Sequence, residues 1–222
     1  GMLPAGNHTF KIVADADNGV AESNEADNEY SRTITVLLTA PVATAATGIT
    51  QTGFTANWNA VTGATSYYLD VSTSNTFASF VSGYNNKNVG NVTTAAVTGL
   101  TSGTTYYYRV RAYNATSTSA NSNTITVATI PPAPVAQAAT NITQTSFIAN
   151  WNSSSGATGY VIDVATDNAF AGMVTGYSNK KLGNVLNYTV TGLNPCTTYY
   201  YRIRAYNPSG TSSNSNVITT KT

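Results

Sequence analysis

Residues 104–114 read TTYYYRVRAYN, and residues 197–207 read TTYYYRIRAYN. Along the first run Tyr106, Tyr108, Val110 and Ala112 fall on one side, and Tyr107, Arg109, Arg111 and Tyr113 fall on the other. Side chains of an extended strand alternate between two faces, so this period of two predicts a half-buried strand. Outward from it, residues 41–129 align with residues 134–222 at a constant offset of 93 without a gap. Roughly 60% of the aligned positions are identical, which makes the chain a leader followed by two copies of one unit. The copies agree again at ITQT (49–52 and 142–145), ANWN (56–59 and 149–152) and Val-Thr-Gly-Leu (97–100 and 190–193). Such agreement reflects duplication and is not taken as a sign of function.

The same period of two recurs elsewhere in each copy. Phe54, Ala56 and Trp58 oppose Thr55 and Asn57, while Tyr67, Leu69 and Val71 oppose Tyr68 and Asp70. Gly, Asn, Ser and Pro punctuate these runs, and no stretch sustains an apolar repeat of 3.6 residues. The spacing predicts an all-β sandwich of about seven strands per copy. The expected organisation is a leader at 1–40, a first sandwich at 41–130 and a second at 131–222, joined by the proline-rich junction Ile130-Pro131-Pro132-Ala133-Pro134 acting as a semi-rigid spacer. Tyr84, Lys87 and Asn91, repeated as Tyr177, Lys180 and Asn184, read as turn markers.

Trp58, Tyr67, Leu100 and the run at 104–112, with Trp151, Tyr160, Leu193 and 197–205, resemble the signature of fibronectin type III domains. The resemblance implies two tandem Ig-like sandwiches, with Tyr106 and Tyr199 as tyrosine-corner residues whose hydroxyls bond nearby backbone. Residues 6–15 read as a strand. They are followed by Asp17-Asn18-Gly19-Val20-Ala21-Glu22-Ser23-Asn24-Glu25 and a last strand at 31–38, and together these resemble the final half of the bacterial cell-adhesion-related Ig-like domain called CARDB. The leader is then an N-terminal β-hairpin fragment, expected to pack on the first sandwich or to self-associate with another chain, since a lone hairpin is marginal in water.

Charged residues make up 9% of the chain, far below the usual quarter, and its single His and single Cys argue against His/Cys metal clusters, disulfides and His-assisted nucleophiles. Two bases against six acids give residues 1–40 a charge of −4, while eight bases against three acids give the remainder +5. That dilute basicity argues against nucleic acid as a partner. No run approaches the length of a membrane helix, and Gly1 before Met2 reads as a tag-cleavage scar on a fragment without an export signal.

Two constellations could carry chemistry. Asp15, Asp17, Asn18, Glu22 and Glu25 supply the hard oxygen ligands of a calcium site, with a solvated turn-rich loop as the plain alternative, since the spacing does not match an EF-hand. Tyr68, Tyr107, Arg109, Arg111 and Tyr113, with Tyr200, Arg202, Arg204 and Tyr206, line the outward sheet faces, where Tyr beside Arg suits stacking on sugars or a protein hot spot. The alternative is cross-strand pairing, Asp70 opposite an Arg, with no ligand. No other cofactor is expected, and Cys196 reads as an indifferent loop thiol. The chain is therefore expected to be non-catalytic, forming spacer or adhesion modules of a larger secreted or cell-surface bacterial protein that meet a protein or polysaccharide there. The alternative is accessory carbohydrate- or protein-binding modules of a secreted hydrolase.

Overall fold

A computed structural model describes residues 3, 5–14 and 29–222. The leader contributes β1 (Gly6–Val13) and β2 (Glu29–Val36), an antiparallel pair. The first module contains β3 (Ala43–Thr47), β4 (Gly53–Trp58), β5 (Ser66–Ser72), β6 (Lys87–Gly90), β7 (Thr94–Thr98), β8 (Thr105–Tyr113) and β9 (Ile125–Ala128). A three-stranded sheet in the order β3-β4-β7 faces a four-stranded sheet in the order β6-β5-β8-β9. The second module repeats this with β10 (Ala136–Thr140), β11 (Ser146–Trp151), β12 (Gly159–Ala165), β13 (Lys180–Leu182), β14 (Asn187–Thr191), β15 (Thr198–Asn207) and β17 (Ile218–Lys221), and adds a short β16 (Gly210–Thr211) beside β15. No helix occurs among the described residues, so none there is long and apolar enough to cross a membrane.

Each module buries its own core where the inner faces of its sheets meet. Trp58 packs on Tyr67 with ring centroids 5.7 Å apart, and Phe54 stacks on Tyr108 at the same distance; Trp151–Tyr160 and Phe147–Tyr201 repeat both pairs. Aromatic packing of this kind contributes about 0.5 to 1.5 kcal/mol per pair beyond the area it buries. The Tyr hydroxyls reach out of the core to backbone that the strands leave unpaired. Tyr67 accepts from Val61 N at 2.7 Å and Tyr160 from Ser154 N at 2.9 Å. Tyr106 and Tyr199 hold the expected corners, accepting from Thr101 N and Asn194 N, each at 2.9 Å.

Tyr84 and Tyr177 are not turn markers. Both are buried, and their hydroxyls accept from Thr98 N and Thr191 N across the sandwich. Each belongs to a long loop that returns over the larger sheet of its module, a non-local placement that leaves no periodic trace in sequence.

The leader hairpin is amphipathic. Phe10, Ile12, Tyr30 and Ile34 share one face, while Thr9–Thr33, Thr35–Asn7 and Lys11–Glu29 pair on the other. Among the described residues its base meets the first module, through Ala5 beside Gly63 and the buried Leu38, whose N–H donates to Ser117 Oγ at 3.4 Å. The leader thus packs on the first sandwich through Ala5 and Leu38, while Ile12 remains 65% exposed.

Candidate functional site

The sequence places Asp70 opposite an Arg; the register makes that partner Arg109 across β5 and β8, and Arg202 faces Asp163 across β12 and β15. The open face expected around these residues is not open. Residues 73–86 and 166–179 fold over it, leaving Asp70 only 1% and Asp163 only 3% exposed.

Within that cover Asp70 accepts from Arg109 Nε at 3.1 Å, Arg111 at 3.4 Å and Asn86 N at 2.7 Å. Asp163 is held by Arg202 Nε at 3.0 Å, Arg204 at 2.9 Å and Asn179 N at 2.8 Å. Each carboxylate thus has two guanidinium partners and a backbone donor, the condition under which a buried charge is tolerated. Arg111 and Arg204 also donate to Asn86 Oδ1 at 2.7 Å and Asn179 Oδ1 at 2.5 Å. Phe77 and Phe170 cap the clusters, with the guanidinium carbons of Arg109 and Arg202 each 4.0 Å from a ring centroid. Both phenylalanines take left-handed backbone conformations, φ 55° and 58°, unusual for bulky side chains. Such a conformation persists where the surroundings over-determine it, and burial against Arg provides that.

The aromatic residues of the face also have partners. Tyr68 and Tyr113 meet edge to face at 5.3 Å with 68° between their planes, so this pair is not a coplanar sugar platform. In the second module Val161 replaces Tyr68 and is buried, and Tyr206 donates to Leu182 O at 3.0 Å. A Cβ on Gly159 would stand 2.4 Å from the Tyr206 hydroxyl, so the glycine, Ser66 in the first copy, makes room for that ring. Tyr107 and Tyr200 lie half-buried at the ends of the row, two residues before Arg109 and Arg202 on the same face. Asp15, Asp17, Asn18, Glu22 and Glu25 lie outside the described residues. Among the described residues no group of three or more His, Cys, Asp and Glu side chains gathers as a metal site would require.

Phe77, Phe170, Asn86, Asn179 and Gly159 escaped sequence reasoning. The signal available was the identical offset of Phe and Asn from the Asp in both copies, which marks a shared loop path but not its direction. One further group is displaced from its ordinary behaviour on this side of the second module. The Gly172 and Ala171 backbone N–H groups donate to Asp167 and hold its carboxyl below the usual range.

The fibronectin type III domain model matches residues 39–128 and 132–221. The chain belongs to the fibronectin type III family. These fibronectin type III modules are 34% identical over 193 residues to chitinase A1 of Niallia circulans, covering 79% of this chain and 24% of that protein. They are 34% identical over 143 residues to exoglucanase B of Cellulomonas fimi, covering 56% of this chain and 12% of that enzyme. A Kelch domain-containing protein of Saccharolobus solfataricus is 35% identical over 138 residues, covering 59% and 18%. The chain thus spans about a quarter or less of the length of these relatives. Among solved structures, a two fibronectin type-III domain segment from chicken tenascin matches with a TM-score of 0.44 and 17% identity, over 83% of this chain and 99% of that one.

Proposed function

We propose that these two modules are a non-catalytic accessory unit of a larger extracellular bacterial protein, a polysaccharide-degrading enzyme being the parent class that the chitinase and exoglucanase similarities favour. The observation that carries the non-catalytic part is the charged cluster. Asp70 and Asp163 are buried and saturated by Arg, so neither offers a carboxyl to a glycosidic oxygen, and glycoside hydrolysis requires two such groups flanking the bond. The role left to the modules is positional, holding a neighbouring domain at a set distance from the substrate or the cell surface.

Polysaccharide contact by the modules themselves is the second reading, and it rests on Tyr107 and Tyr200, face tyrosines that take part neither in the Arg–Asp clusters nor in the Tyr68–Tyr113 and Tyr206–Leu182 contacts. A depletion assay against insoluble chitin and cellulose separates the two. The spacer reading expects no depletion of the purified chain. Depletion that disappears in Tyr107→Ala with Tyr200→Ala would overturn it in favour of direct carbohydrate binding.

A further inference from the structure

The two modules meet through a backbone contact that only glycine permits. Gly103, in the turn before β8, has φ 61°, and a Cβ there would lie 1.9 Å from Ser155 O of the second module. From the other side, a Cβ on Gly156, φ 68°, would lie 2.2 Å from Gly103 O. A side chain on either residue is therefore incompatible with this approach, independently of the strain that positive φ adds.

Polar contacts around the junction are directed across it. Asn207 Nδ2 donates to Thr129 O at 2.8 Å, with both residues buried. In the first module the equivalent Asn114 instead donates to Gly63 O of its own module at 3.2 Å. Ser154 Oγ donates to Pro132 O at 2.6 Å and Gln51 Nε2 to Pro131 O at 3.1 Å, so the connector is tied to both modules. Ile130 packs against Gly210, where a Cβ would come within 2.9 Å of its Cδ1. Pro131 and Pro134 are buried.

The second copy supplies an internal contrast. At the position equivalent to Gly103 it carries Cys196, which keeps the left-handed turn, φ 56°, and is exposed. The turn itself thus accepts a side chain, and glycine is needed at 103 for the neighbour rather than for the fold of the module.

We infer that the pole of the second module around Ser155, Gly156 and Asn207 is a docking surface for the glycine turn of a preceding sandwich, and that this docking makes the pair one rigid body. This goes beyond the semi-rigid spacer expected of the proline-rich junction and does not depend on the proposed function. Domains joined by small polar interfaces move independently by default, so rigidity is a specific claim.

Nitrogen-15 relaxation on the full chain tests it. Wild type is expected to give both modules one shared rotational correlation time. Gly103→Ala is expected to shorten it by roughly half as the modules come apart, with core resonances such as those of Tyr67 and Tyr160 unshifted. Cys196→Ala, a substitution in the same turn at the undocked pole, is expected to change nothing. Should Gly103→Ala perturb the first module, Gly156→Ala reads the same contact from the other side. Separate, short correlation times in wild type would overturn the inference, as would unchanged tumbling in both glycine variants.

Discussion

Asp70 and Asp163 concentrate the charge of the molecule at two buried points. Removing either carboxylate leaves two Arg side chains, each about three-quarters covered, without a counter-charge. Asp70→Ala is expected to cost about 3 kcal/mol, the range for one partner lost from a buried pair, readable as a fall in the urea midpoint. A Tyr106→Phe variant orphans Thr101 N at the corner and is expected to cost about 1 to 2 kcal/mol in the same measurement. Tyr108 and Tyr201 stack on Phe54 and Phe147 in the two cores. Burial pushes their hydroxyls above the ordinary value near 10, against the smaller opposing effect of the Asn57 and Asn150 N–H donors. A folded pKa above the unfolded one means that the native state holds its proton longer. The stability this confers is complete below about pH 10 and is lost as pH rises from there through the folded value. Denaturation midpoints followed from neutral to pH 11 should fall in wild type, and fall less steeply in Tyr108→Phe with Tyr201→Phe.

The elements differ in how firmly they are held. β5 and β8 lie inside a sheet with a core beneath and a loop above, whereas β1 and β2 have no third strand and no covering layer among the described residues. Amides of β1 and β2 are expected to exchange with deuterium orders of magnitude faster than those of β5, β8, β12 and β15, because local opening there exposes little buried surface. Strand identities and an Asp–Arg pairing were legible in the sequence, since period-two alternation and a duplicated pattern report directly on which residues share a face, but which Arg stands opposite each Asp came from the register. The burial of Asp70 was not legible. It depends on where residues 73–86 cross the sheet, a long-range packing choice to which Phe77, Tyr84 and Asn86 contribute without any local period. The division of the outer face between modules was half legible. Tyr68 becoming Val161 was visible, but its link to Gly159 and to the path of Tyr206 required coordinates.

For the whole molecule, low charge and internal pairing combine. With 9% charged residues, four of its Arg side chains bound to buried Asp, and separate cores in each module, stability rests on packing rather than on surface ion pairs. Raising ionic strength from about 0.05 to 0.5 M should move the melting temperature by no more than about 2 °C, because covered pairs are poorly screened. The duplication itself has a kinetic cost. β8 and β15 differ only by Val110 for Ile203 along the quoted run, and each pairs with a central strand in a register set by the same Asp–Arg match. During folding, β15 can therefore close on β5 as well as on β12. Asp70 lies 39 residues from Arg109 and 132 from Arg202, a difference that disfavours the crossed pairing by only roughly 1 kcal/mol of loop entropy. Repeats this similar misassemble in that way. The tandem chain is expected to refold with a slow phase that neither module shows alone, as strands borrowed across the repeat are released and exchanged for their own.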